Sequence, residues 1–179
     1  MILALYEHPQ GIETAGGNVA VYDLARDTAH FGAASVGGPA LLWEVSAEAR
    51  EGAKLAAEIA LDSGTRWLIR CDRVDFPPGG IAYRHTHPGP GLRCLLHGSI
   101  RIESAGGTHV YGPGDPWFES GLEPVLAIAS DADETAFVRA MLLPREWAGK
   151  RTIRYVDPED EAKPKLQKAT VFFDEPIEL

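Results

Sequence analysis

The sequence has little cysteine and no long apolar run. Its 179 residues include only two cysteines, Cys71 and Cys94, whereas a secreted, disulfide-stabilised domain normally carries more. Both lie in apolar, strand-like runs, so we expect buried free thiols and a reducing compartment. No stretch approaches the ~18 apolar residues of a membrane span, and the first residues lack the basic flank of a signal peptide. We therefore expect a cytoplasmic protein.

Basic residues are also scarce, which excludes several kinds of partner. Lysine and arginine together number 17, against 26 aspartates and glutamates, and the formal net charge is −9. Such a chain is repelled by nucleic-acid phosphates and by anionic membranes, and no basic cluster offers an exception. The sequence also lacks a phosphate-binding glycine loop and a dinucleotide fingerprint. We therefore expect a small-molecule ligand, with no nucleic acid and no membrane as partner.

Turn-forming residues are abundant and suggest three parts. The 19 glycines and 13 prolines favour many short strands. Residues 1–64 are interpreted as an N-terminal extension, in which Ser46–Leu61 (SAEAREGAKLAAEIAL) predicts one short helix with Ser46 as its cap. Residues 144–179 form a tail whose β-prone run Ala169–Phe173 predicts a terminal strand. That strand would pair with a barrel edge or with another subunit.

The middle part, residues 65–143, has the pattern of an all-β barrel. Eight short apolar or alternating runs follow one another, each closed by Gly, Pro or Asp: Arg66–Phe76, Ile81–His87, Leu92–Leu96, Ser99–Ser104, Thr108–Tyr111, Pro116–Glu119, Pro124–Ser130 and Thr135–Leu143. This spacing predicts a single antiparallel sandwich or barrel.

Two histidines give the clearest chemical indication. His85 and His87 lie two positions apart on a predicted strand, and period-two alternation puts both imidazoles on one face. In a closed barrel that face can be the interior. Two imidazoles on a rigid strand are a natural half of a site for a metal such as Fe, Zn, Cu or Ni.

The segment around these histidines resembles the first motif of the cupin family, G-x5-H-x-H-x3-E-x6-G. Gly79, His85, His87 and Gly98 fall on that spacing, but Gly91 stands where the family has a glutamate ligand. The second motif, G-x5-P-x-G-x2-H-x3-N, is matched loosely by residues 114–124 and lacks its histidine. The resemblance implies a cupin antiparallel β-barrel, or jelly roll, and implies the family's metal chemistry less strongly.

A carboxylate could replace the missing ligands. Glu119 and Glu123 lie where the family places its last ligand, and the sequence does not choose between them. Together with His85 and His87, either one would give the facial triad of non-haem iron enzymes. The expected cofactor is a divalent metal, Fe, Mn, Ni or Zn.

Three further residues are expected to contact a ligand. Counting by two along its strand places Arg93 on the inward face, where it would oppose a cation but clamp a carboxylate or phosphate. Tyr83 and Trp117 are expected to pack at the barrel mouth and to be available to a ligand.

Two functions are compatible with these residues. The first is a metal-dependent enzyme of dioxygenase, isomerase or lyase type, an oxidoreductase in the first case, acting on a small organic acid. The alternative is a non-catalytic or metal-free cupin that binds a small anion. The β-rich terminal segments, and the habit of cupins to dimerise, favour a homodimer.

Overall fold

The computed structural model describes residues 1–179 and is built almost entirely from strands. It contains two short 3-10 helices, Arg145–Trp147 and Pro158–Ala162, and fifteen strands: β1 Ile2–His8, β2 Ile12–Asp23, β3 Thr28–Val36, β4 Ala40–Ser46, β5 Leu55–Glu58, β6 Trp67–Phe76, β7 Ile81–Thr86, β8 Gly91–His97, β9 Ile100–Ser104, β10 Gly107–Tyr111, β11 Pro116–Glu119, β12 Val125–Ala129, β13 Thr135–Pro144, β14 Arg154–Tyr155 and β15 Lys168–Pro176. No helix has the length and apolar character needed to cross a membrane.

Strands β6 to β13 form a jelly roll. Four of them run in the order β11-β8-β13-β6 in one sheet, which we call the central sheet, and four in the order β10-β9-β12-β7 in a second, the distal sheet. All pairs are antiparallel. This order is that of two interlocked Greek keys, the double-sheet architecture to which cupins belong. The eight predicted strands are confirmed, each to within one residue at either end.

The first 58 residues form a third sheet that covers the central sheet. Its order is β3-β2-β4-β1-β5. Alternation along β6 explains the contact: Ile69 and Cys71 pack against Leu5 and Trp43 of this N-terminal sheet in one apolar cluster. The intervening residues of β6 face the opposite side of the central sheet, toward the barrel interior.

The predicted helix at Ser46–Leu61 is wrong. Residues 47–54 form bends and turns, and Leu55–Glu58 is strand β5, which pairs with β1. Gly52 adopts a φ of +85°, which lies outside the right-handed helical region. Glycine reaches this conformation without the steric strain that other residues would have. Ile59 is buried in the cluster beneath the sheet. Tertiary packing of this edge strand therefore overrides a helical propensity of a few tenths of a kcal/mol per residue.

The C-terminal segment closes the barrel. Strand β15 pairs with β6 at the edge of the central sheet, and β14 pairs with β7 at the edge of the distal sheet. Arg70 fastens the connection between them: it forms two hydrogen bonds of 2.6 Å with the Asp174 carboxylate and donates to the carbonyls of Trp147 and Lys150. The terminal strand thus takes the barrel edge, the first of the two partners expected for it.

Candidate functional site

A cavity of about 440 Å³ lies between the central and distal sheets. This volume falls in the range of small-molecule sites, which are lined mainly by apolar side chains and a few polar groups. Part of the wall is apolar and includes Val74, Phe76, Ile102, Trp117 and Phe137. The Trp117 and Phe137 rings meet edge to face at 5.2 Å. The barrel therefore encloses a space with an aromatic wall.

Both predicted histidines line this cavity. His85 and His87 are buried, and their ring centroids are 4.9 Å apart. His85 lies in β7 and His87 directly follows its last residue, Thr86, and the two rings share a face as period-two alternation predicts. Before His85, strand β7 contains a β-bulge. His85 pairs with Val125 of β12 and Ala82 pairs with Ala127, so β7 has one extra residue between the two pairs. Because of this bulge, Ala82 also lines the cavity although it is three residues from His85.

Tyr83 is displaced by the same bulge and does not line the cavity. Its ring lies 6.5 Å from the ring of Tyr155 and beneath the Lys163 ammonium, at 4.8 Å. Tyr83 was expected at the barrel mouth; unbroken alternation would put it on the face of His85, but one extra residue in a strand reverses the facing of those before it.

The ring of His85 is fixed by its own backbone. Its Nδ1 lies 2.6 Å from the Tyr83 carbonyl oxygen, and since a carbonyl only accepts, Nδ1 carries the proton. Burial lowers the pKa of His85, and the nearby Arg139 and Arg93 add to this, although Glu119 and the carbonyl act in the opposite direction. His85 is therefore a neutral imidazole whose Nε2 holds a lone pair.

His87 is bound to an arginine. Nη1 of Arg139 lies 3.4 Å from Nε2 of His87, and because arginine stays protonated, Nε2 is the acceptor. Burial and the Arg139 charge hold the pKa of His87 well below its usual value. The Thr152 backbone acts against this, but Nδ1 of His87 forms no hydrogen bond of good geometry.

Arg139 is itself fixed by a buried carboxylate. Its Nε and Nη2 donate to the two oxygens of Asp72 at 2.6 and 3.1 Å, from β13 to the neighbouring strand β6. Both residues line the cavity. Sequence reasoning missed this pair, although each residue is a charged group alternating with apolar ones in a buried strand, a pattern that indicates a paired interior charge.

Glu119 lines the cavity but faces a second arginine. Its Oε2 lies 2.7 Å from Nη2 of Arg93, and its Oε1 accepts a hydrogen bond from Nε1 of Trp117 at 2.9 Å. Burial alone would raise the pKa of Glu119, but Arg93, His85 and the Trp117 hydrogen bond bring it below its usual value. Glu119 is therefore ionised and paired.

Arg93 stands behind Glu119, not in the cavity wall. It is fully buried, and burial lowers its pKa to about 10, so it remains a cation at neutral pH. Its Nη1 donates to the Gly91 carbonyl at 2.6 Å. A Cβ on Gly91 would lie 2.7 Å from the Ala140 carbonyl oxygen and 3.1 Å from Nη1 of Arg93. The position where cupins carry a glutamate is thus closed by backbone and guanidinium.

Glu123 lies outside the cavity. It is exposed, and its carboxylate accepts a hydrogen bond from the Ala105 backbone N–H in a neighbouring hairpin. Of the two carboxylates considered from sequence, the structure brings only Glu119 to the histidines. Trp117, expected at the mouth, lies in the cavity wall and is buried.

The donor set does not fit a metal ion. Of the three expected ligands, His87 directs Nε2 to Arg139 and Glu119 directs Oε2 to Arg93, which leaves only Nε2 of His85 free. Each of the two guanidinium groups is paired with a carboxylate, so the site offers a cation no net negative charge. No group of three His, Cys, Asp or Glu side chains has an arrangement suited to a metal.

The entrance is marked by exposed lining residues of the C-terminal segment. Five cationic side chains line the cavity against two acidic ones, Asp72 and Glu119: they are Arg70, Arg139, Lys150, Arg151 and Lys165. Arg70 and Arg151 are paired outside it, with Asp174 and Glu161. Arg139 is paired with Asp72, so the positive charge without a carboxylate partner comes from Lys150 and Lys165, and Lys165 donates to three backbone carbonyls.

Comparison with known proteins adds partial structural likenesses. No protein-family model and no curated protein matches the chain. An RmlC-like cupin from Shewanella frigidimarina aligns over 44% of this chain and 69% of its own, at 18% identity and TM-score 0.40. A cupin-superfamily sugar phosphate isomerase from Silicibacter pomeroyi aligns over 41% of this chain and 50% of its own, at 18% identity and TM-score 0.37. A polyketide cyclase from Streptomyces resistomycificus aligns over 54% of this chain and 64% of its own, at 20% identity and TM-score 0.40.

These likenesses are too distant to transfer an activity. The chain itself has eight antiparallel strands in jelly-roll order, and His85 and His87, at the end of β7, face the interior. This chain therefore has a cupin-type fold.

Proposed function

We propose that this protein binds a small organic acid with an apolar body in its barrel cavity, without a metal. The observation that carries the proposal is the pairing of guanidinium groups with the expected metal ligands: Arg139 with His87 and Arg93 with Glu119. This pairing places a guanidinium beside each of two expected ligand atoms, and it leaves Arg139, which lines the cavity, with N–H donors that an anion can accept from.

Arg139 is the anchor that we assign to the acid group. A guanidinium has five N–H donors, and three of them are directed to Asp72 and His87. Two remain for a ligand. Planar donors of this kind suit a carboxylate, and Lys150 and Lys165 at the entrance attract an anion from solution.

The remainder of the ligand would contact the aromatic wall. Phe76, Trp117 and Phe137 offer apolar surface, and burying such surface contributes about 25 cal/mol per Å². An acid that carries an aromatic ring or a branched chain satisfies both halves of the cavity.

The experiment is calorimetric titration of the protein with benzoate and with benzyl alcohol, which has a similar body without the charge. We expect saturable benzoate binding that is weaker at high salt, and none of the alcohol. Arg139→Lys keeps the charge opposite Asp72 but loses the planar donors, and should weaken benzoate binding about tenfold. Arg101→Lys, an exposed arginine of β9, is the matched control. Equal binding by acid and alcohol would contradict the proposal.

A metal-dependent enzyme is the second candidate. One observation favours it: the Nδ1–H of His85 is held by a backbone carbonyl, as is usual for metal-binding histidines. In that case Fe, Mn, Ni or Zn would be held by His85 with His87 and Glu119, after both guanidinium groups had moved away. Stoichiometric metal in the purified protein would favour this candidate.

A further inference from the structure

One polar group beside the histidine and arginine anchors is not satisfied by a simple carboxylate; a second unpartnered acceptor, Oε1 of Gln167, belongs to the C-terminal wall of the cavity. Nε2 of His85 has no hydrogen-bond partner within the chain, although His85 is only 5% exposed. The Nδ1–H···O=C bond to Tyr83 fixes the tautomer, so this nitrogen can only accept. A ligand that fills the cavity and offers it no proton leaves a buried acceptor unsatisfied, which weakens binding.

We infer that the ligand is a hydroxy acid, whose carboxylate binds Arg139 and whose hydroxyl group donates a hydrogen bond to Nε2 of His85. The inference rests on the proposed function, because it assumes that an acid occupies this cavity. It adds the second polar contact and thereby the class of acid.

The other polar groups nearby do not meet the same need. Glu119 is paired with Arg93 and Trp117 through its two oxygens. Nε2 of His87 already accepts from Arg139. His85 is therefore the acceptor that remains available for a ligand hydroxyl on this wall.

The two anchors are also close enough for one small molecule. His85 and His87 have ring centroids 4.9 Å apart, and Arg139 lies 3.4 Å from the far nitrogen of His87. The aromatic wall borders the same space, since Trp117 donates its Nε1–H to Glu119. A ring that carries a carboxylate and a hydroxyl group presents the matching pattern of acceptor, donor and apolar surface.

The test compares benzoate with its 2-, 3- and 4-hydroxy derivatives and with the corresponding methoxy compounds, which lack the hydroxyl proton. We expect at least one hydroxybenzoate to bind about tenfold more tightly than benzoate, and its methoxy analogue to lose that gain. In His85→Phe, which keeps a ring but no acceptor, the gain should disappear. In His85→Gln, whose amide oxygen accepts, part of it should return.

The two proposals fail differently. Benzoate binding that depends on Arg139, with no preference for any hydroxybenzoate or with a preference that persists in His85→Phe, would overturn the hydroxy-acid inference and leave the proposed function standing. No binding of any compound in the series would overturn both.

Discussion

Nη1 of Arg139 lies 3.4 Å from Nε2 of His87, so an imidazole expected from the sequence to bind a metal accepts instead from a guanidinium group. Asp72 holds that guanidinium through two further hydrogen bonds. The three residues form a buried chain of carboxylate, guanidinium and neutral imidazole. Two neighbouring strands of the central sheet therefore hold a cavity-lining guanidinium in a fixed position.

The Asp72–Arg139 pair is expected to be strongly coupled. Arg139→Met would leave Asp72 buried without its partner and should lower the free energy of unfolding by about 3–5 kcal/mol. The double variant Asp72→Leu/Arg139→Met should recover most of that loss, because no charge remains uncompensated. Urea unfolding of both, with exposed Arg101→Met as control, measures the difference. Equal losses in the single and double variants would show that the pair is not coupled.

Gly91 is expected to tolerate no side chain. A Cβ there would lie 2.7 Å from the backbone oxygen of Ala140, so Gly91→Ala should cost about 1–3 kcal/mol of stability through overpacking. Gly106→Ala, whose Cβ would meet only the Ser104 hydroxyl at 3.5 Å, is the control. Unfolding midpoints in urea report both. A Gly91→Ala protein as stable as the parent would show that the surrounding backbone yields to a Cβ and that this position is not closed.

The barrel could be predicted from sequence because its physical requirements are local. Short alternating runs separated by glycine and proline indicate strands, and His85 and His87 share a face through period-two geometry alone. The prediction for Ser46–Leu61 was wrong because the composition of that segment favours a helix. In the structure the burial of its second half alternates, with Leu55, Ala57 and Ile59 toward the apolar cluster. Ala56 and Ala60 between them are apolar as well, so the sequence shows no period-two pattern there.

The pairing within the site could not be predicted in the same way. Arg93 was correctly placed on the inward face, but its partner Glu119 comes from β11 and depends on the register of two strands. The bulge that turns Tyr83 away leaves no mark in the sequence. Arg139 and Asp72 lie 67 positions apart, so only the fold brings them together.

Acid is expected to destabilise the protein through its buried histidines. Burial lowers the pKa of His85 and, more strongly, that of His87. Below about pH 6.5, the usual histidine pKa, the unfolded chain binds protons that the folded chain does not. The free energy of unfolding therefore decreases as the pH is lowered below that value. It should be flat above that value as far as these groups are concerned. Urea unfolding at several pH values between about 5 and 8 measures this dependence.

A variant assigns that pH dependence to the site. His87→Gln should reduce the slope below about pH 6.5, whereas His109→Gln, which alters an exposed histidine of β10, controls for the loss of a histidine as such. An unchanged slope in His87→Gln would contradict the assignment.

Both cysteines are expected to be unreactive in the folded protein. Cys71 and Cys94 are free and buried between the N-terminal and central sheets. Burial raises the pKa of Cys94 to about 11 and that of Cys71 well above its usual value, so little thiolate is present at neutral pH. A chromogenic disulfide reagent should react with no thiol in buffer and with two in denaturant. Rapid reaction in buffer would show that the two sheets separate readily.

Metal content is the most direct measure of whether guanidinium groups have replaced the metal in this barrel. The freshly purified protein would be analysed for Fe, Mn, Ni and Zn, and its Tm recorded with each ion added. We expect much less than one metal per chain and no rise in Tm, since an ion that binds the folded state must stabilise it. One equivalent of bound metal that disappears in His85→Ala would contradict the account.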